Sequence, residues 1–73
     1  MDRIFCVSFA TTCGMYVEAS QSFHTTEADA RQMFNSRLDE VGFDRVLITL
    51  TRVELPSMDC TCIDEWEGNE DDL

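Results

Sequence analysis

Apolar and polar positions alternate in the first third of the chain, switch to a helical repeat in the middle, and alternate again afterwards. From Arg3 to Ala10, Phe5, Val7 and Phe9 fall on one side and Ile4, Cys6, Ser8 and Ala10 on the other, the period of a strand. Neither side is strongly polar, which suits a central strand. Thr11-Thr12-Cys13-Gly14 predicts a turn, with Gly14 free to take positive φ. Met15 to Gln21 predicts a second strand in hairpin with the first. Met15, Val17 and Ala19 are expected to point inward, and Tyr16, Glu18 and Ser20 outward.

The stretch Thr25–Gly42 carries the helical repeat. Thr25 or Thr26 supplies an N-cap hydroxyl for an otherwise unpaired helix N–H. With Thr26 as cap, Asp29 takes the N3 position of a weak capping box, and Glu27 and Asp29 suit the positive end of the helix dipole. Ala30, Met33, Phe34, Leu38 and Val41 form one apolar stripe, while Asp29, Gln32, Ser36, Asp39 and Glu40 face away from it. Gly42 is expected to stop the helix in the left-handed conformation.

Val46 to Leu55, rich in β-branched residues, predicts a third strand. Val46, Ile48 and Leu50 share one face, and Leu47, Thr49, Thr51, Val53 and Leu55 the other. Pro56 ends the pairing or marks an edge. After a turn at Ser57-Met58-Asp59, Cys60 to Glu67 predicts a fourth strand. Simple alternation there groups Cys60, Cys62, Asp64 and Trp66 against Thr61, Ile63, Glu65 and Glu67. The expected class is α+β: an antiparallel sheet of three to four strands in the order β-β-α-β-β, with one helix packed on one face. Residues 1–67 form a single domain, and residues 68–73 are expected to be an acidic, flexible tail.

Charge changes this picture more than composition does. The net charge is −10, with five arginines, no lysine and fifteen acids. Residues 1–53 hold all five arginines and seven acids, whereas residues 54–73 hold eight acids and no base. Such a surface repels nucleic acid and anionic membranes and attracts basic protein surfaces. No basic stripe accompanies Phe5, Phe9 and Tyr16, so these strand aromatics read as core rather than as a base-stacking platform. No leader-like or membrane-spanning run is evident, and the chain is expected to be cytoplasmic, with its four cysteines reduced.

Candidate chemistry is sparse. Cys6, Cys13, Cys60 and Cys62, with His24 as a spare ligand, lack the paired spacing of a structural zinc site, although a C-x-C pair on a strand directs both thiols to one face. His24 stands just before the helix cap with no nucleophile motif in reach, and three glycines supply no phosphate-cradling loop. The chain is therefore expected not to be an enzyme and to use no cofactor. What remains is the acidic segment and its flank. Asp39, Glu40, Glu54, Asp59, Asp64, Glu65, Trp66, Glu67, Glu70, Asp71 and Asp72 are the candidate partner-binding residues. Residues i and i+2 on a strand lie about 6.6–6.8 Å apart. Glu65 and Glu67 would thus match every second phosphate of a nucleic-acid strand, which advances about 3.4 Å per residue. Trp66 is a candidate interface anchor, with core packing as its other role.

In size, absence of lysine, compact β-β-α-β order and the run Asp64-Glu65-Trp66-Glu67-Gly68-Asn69-Glu70-Asp71-Asp72, the chain resembles small acidic inhibitors of phages and mobile elements. These are the anti-CRISPR and DNA-mimic proteins. The resemblance is one of type and assigns no residue roles. It implies a stoichiometric blocker in a host bacterial cell, seated on the basic nucleic-acid channel of a defence complex. Two other classes fit the sequence: a homodimeric structural or assembly protein joined through the open sheet face or a Pro56-flanked edge, and a thiol–metal module.

Overall fold

The structure, a computed structural model, describes residues 2–13 and 16–72. Strands β1 (Arg3–Cys13), β2 (Tyr16–His24), β3 (Arg45–Glu54) and β4 (Asp59–Gly68), with helix α1 (Glu27–Leu38) between β2 and β3, realise the expected β-β-α-β-β order. All pairings are antiparallel, and the sheet order is β2-β1-β3-β4. The two most apolar strands therefore lie in the centre, and β2 and β4 form the edges. Thr11, Thr12 and Cys13, expected in the turn, instead continue β1 in register with β2; Gly14 and Met15 lie outside the described residues, as do the side chains of Cys13, Tyr16 and Val17.

Helix α1 covers one sheet face. Phe5 and Val7 from β1 and Val46, Ile48 and Leu50 from β3 meet Ala30 and Phe34 in the core, with Phe9, Met33, Leu38, Val41, Ile63 and Trp66 packed around them. Burying a side chain of this size contributes about 1.5–3 kcal/mol, and a chain this short has few such residues. Thr26 is the N-cap: its hydroxyl accepts from the Asp29 backbone N–H at 3.2 Å. The other sheet face is open. Across it run Ile4, Cys6, Ser8 and Ala10 of β1 beside Val53, Thr51, Thr49 and Leu47 of β3, with the hydroxyls of Ser8 and Thr49 hydrogen-bonded.

Three local expectations are corrected. First, the helix ends at Leu38 with Asp39 as C-cap, one turn earlier than its apolar stripe suggests. Glu40 and Val41 donate to Arg37 and Leu38 carbonyls in a tightened turn, so Val41 reaches the core from a loop. Gly42 is not left-handed; the positive-φ glycine among the described residues is Gly68, at φ 154°.

Second, β2 faces the opposite way. Its pairing puts Ser20, Ser22 and His24 beside Phe9, Val7 and Phe5 on the helix side, and Ala19, Gln21 and Phe23 beside Ala10, Ser8 and Cys6 on the open side. Directly opposite residues share a face. Register with β1 thus overrides the weak alternation of β2 itself.

Third, β4 carries a bulge. Leu50 pairs with Asp64 but Thr51 pairs with Cys62, so Ile63 is an extra residue. The bulge inverts the alternation on one side of it. Cys60 and Cys62 share the open face with Glu65 and Glu67, while Asp64 and Trp66 turn to the helix side. The C-terminal segment also departs from a frayed tail: β4 runs through Gly68, and Glu70–Asp72 form a 3-10 turn. Pro56 sits in the turn between β3 and β4 rather than along an edge. No helix among the described residues is long and apolar enough to cross a membrane.

Candidate functional site

The antiparallel sheet decides where the acids go. The C-terminus of β4 lies beside the N-terminus of β3, and the loop from α1 into β3 passes the same end. The Glu70 backbone N–H donates to the Gly42 carbonyl at 2.9 Å, locking the C-terminal turn to that loop. Asp39, Glu40, Asp44, Glu70, Asp71 and Asp72 are thereby gathered at one end of the sheet, all exposed. The negative end of the helix dipole points there too. Within the turn, the Asp72 carboxylate accepts from the Asn69 N–H at 3.0 Å, and Asn69 Oδ1 accepts from the Asp71 N–H at 3.0 Å.

Sequence reasoning placed Asp39, Glu40, Glu70, Asp71 and Asp72 in the set, and the structure brings them together. It missed Asp44. Its signal was its position between the helix and a strand antiparallel to the acidic one. Glu54 and Asp59 are not part of this cluster. They sit at the opposite end of the sheet, where the Glu54–Asp59 pair closes the β3–β4 hairpin. Glu65 and Glu67 lie on the open face of β4 between the two ends, as the i,i+2 pairing requires.

Ion pairing divides the acids further. Every arginine is engaged: Arg37 Nη1 with Glu40 Oε2 at 2.7 Å, Arg45 Nη2 with Glu67 Oε1 at 3.0 Å, and Arg3 and Arg52 with Glu54 at 3.7 and 2.9 Å. Arg31 on α1 bonds Asp64 on β4. Asp64 is therefore a tie between helix and sheet. Asp39, Asp44, Asp59, Glu65, Glu70, Asp71 and Asp72 have no ion-pair partner among the described residues. Trp66 lies half-buried against the core, on the face away from Glu65 and Glu67, so its packing role is the one the fold uses.

The Arg31 hydrogen bond, and next the Glu65 backbone N–H, hold the Asp64 carboxyl below its ordinary range, against a smaller opposing effect of burial. A depressed folded-state pKa means stability that is present above the unfolded value of about 3.9 and is lost as pH falls through the folded one. Asp64→Asn is expected to be less stable than wild type at neutral pH, and the gap should close as pH falls below the ordinary carboxylate range. Urea unfolding of both proteins at several pH values checks this; a gap that stays constant with pH would exclude the linkage.

Compared with protein-family models, with curated proteins and with solved structures, the chain matches none. Among the described residues no group of three His, Cys, Asp or Glu side chains is placed to hold a metal. Cys6 is half-buried on the open face, where burial and then the neighbouring Cys60 push its thiol up, while Cys60 and Cys62 are exposed. His24 Nε2 lies 2.9 Å from Ser22 Oγ, and no carboxylate reaches the ring among the described residues. A Ser–His pair without an orienting acid lacks part of the usual arrangement of a nucleophile and its base. The fold gathers the carboxylates of Asp39, Asp44, Glu70, Asp71 and Asp72, which have no ion-pair partner among the described residues, at one sheet end, with Asp72 held by the Asn69 N–H.

Proposed function

We propose that this protein is a non-catalytic acidic inhibitor of the anti-CRISPR or DNA-mimic kind. It binds the basic nucleic-acid-binding surface of a host defence complex and blocks target DNA binding. The observation that carries this reading is the distribution of uncompensated charge. The arginines are all paired within the chain, and of the eleven acids without an ion-pair partner among the described residues, five gather at one sheet end: Asp39, Asp44, Glu70, Asp71 and Asp72. Solubility alone does not call for acids at the negative end of a helix dipole, where each is mildly unfavourable. A basic channel built for phosphates offsets that cost and steers the encounter. Glu65, on the open face of β4, adds one more carboxylate without an ion-pair partner among the described residues.

The test neutralises charge without cutting the fold. Asp39→Asn, Asp44→Asn, Glu70→Gln and Asp71→Asn alter exposed side chains that no arginine holds. Four exposed charge pairs at about 0.2–1 kcal/mol each imply a loss of affinity between about fourfold and several hundredfold. The wild-type protein should displace target DNA from a bacterial DNA-binding defence complex in a mobility assay. That displacement should weaken with rising salt and fail with the quadruple variant. Displacement unaffected by salt and by the four substitutions would remove the electrostatic mechanism.

A further inference from the structure

The two edges of the sheet are built differently. β4 carries four acids in ten residues (Asp59, Asp64, Glu65 and Glu67) and a bulge at Ile63. These are devices that keep an edge from pairing with another strand. β2 has neither. Its sequence, Tyr-Val-Glu-Ala-Ser-Gln-Ser-Phe-His, holds one acid, no lysine, no arginine, no proline and no glycine. It pairs with β1 over nine residues without a break in register, so it is regular along its whole length. The helix does not shield it: Glu18, Ala19, Ser20, Gln21 and Phe23 are exposed, Phe23 by 64%. Alternate N–H and C=O groups along its outer side have no strand to meet.

We infer that two copies of this chain associate through β2, edge to edge and antiparallel, forming one continuous eight-stranded sheet. The occupant is a second copy because β2 is self-compatible in charge: its single acid, Glu18, meets no other acid when two β2 strands pair antiparallel about Ser20. Each copy carries −10, so self-association is tolerable only where acids stay apart. Pairing at β2 puts the two acidic β4 edges at the outer margins, seven strand spacings or about 33 Å from each other. That exceeds three Debye lengths at about 0.1 M salt. Pairing at β4 would place eight carboxylates within neighbouring strands. A two-fold axis at Ser20, the middle of β2, sets Glu18 of each copy across from Ser22 of the other rather than across from another acid. It also places Phe23 at the register position of Val17. Both helices lie on the same side, and the open faces join. The inference is independent of the proposed inhibitor activity; if both hold, the dimer presents two acidic ends.

Sedimentation of the full chain under reducing conditions, from low to high micromolar concentration, should show a monomer–dimer equilibrium. Ser20→Glu and Ser20→Lys each set like charges face to face at the two-fold and should weaken the dimer about tenfold. Mixing the two variants should restore it, because opposite charges then meet. Thr61→Glu, on the β4 edge, should leave it unchanged. Backbone amide exchange in wild-type β2 should slow as concentration rises, a readout that needs no variant. A monomer at every concentration overturns the inference. So does a dimer indifferent to both Ser20 variants, or β2 exchange independent of concentration.

Discussion

Phe34→Ala is expected to lower stability by about 3–5 kcal/mol, which is most of what a domain of this size holds. The side chain is only 3% exposed and is the largest that α1 sends into the core. Ala30, one turn earlier, is fully buried but small, and Met33 and Leu38 are only partly covered. Phe34 therefore carries most of the attachment of the helix to Phe5, Val7, Ile48 and Leu50. Its ring also lies 5.8 Å from the Arg31 guanidinium, whose other contact is Asp64 on β4. Removing the ring opens a cavity and loosens that tie at once. Urea unfolding followed by circular dichroism should show the midpoint fall steeply. Ser36→Ala, at an exposed position of the same helix, should barely move it. Equal effects of the two substitutions would mean that the helix is not anchored through Phe34.

Gly68→Ala should cost about 1–3 kcal/mol and release the C-terminal turn. Gly68 has φ 154°, and a Cβ there would meet the Asp72 carboxylate oxygen at 2.5 Å. An alanine is strained in that backbone conformation and expels Asp72, whose carboxylate holds the Asn69 N–H. The turn that positions Glu70, Asp71 and Asp72 should loosen with it. Gly42→Ala is the contrast. No atom lies within 4 Å of its built Cβ and its φ is not positive, so the substitution should be neutral or stabilising by about 0.4–1 kcal/mol. Thermal unfolding of both variants, with amide exchange of residues 69–72, checks the pair. A destabilised Gly42→Ala alongside an unaffected Gly68→Ala would reverse the assignment of which glycine the fold requires.

Much of the fold was legible because local patterns were strong where the core is. Phe5-x-Val7-x-Phe9 and Val46-x-Ile48-x-Leu50 put large side chains on alternate positions, and both sets face the helix. Ala30, Met33 and Phe34 stand at helical spacing and do pack there. The misreadings came where side chains gave little bias. In β2, the middle run Glu18-Ala19-Ser20-Gln21-Ser22 holds no large apolar residue, so its facing was set by its neighbour. The stop at Leu38 escaped because Val41 continues the stripe in sequence while reaching the core from a loop. In β4, no residue type announces a bulge, and one extra residue exchanges the faces of everything beyond it.

The candidate surface was legible in content and not in arrangement. Eight acids without a base after residue 53 are visible in the chain. That Asp64 would be held by Arg31 from the helix, that Glu67 would meet Arg45, and that Asp44 would join the C-terminal turn are facts about neighbours far apart in sequence.

By itself the sequence determined the element order, the grouping of residues into two faces along the first and third strands and the excess of negative charge, because periodicity and composition are local properties. Only the tertiary structure decided which acids are neutralised and which stand free, which sheet edge is guarded and which is bare, and which glycine must be glycine. Each of those depends on register between strands and on contacts across the sheet, and pairing distance in space is not written in spacing along the chain.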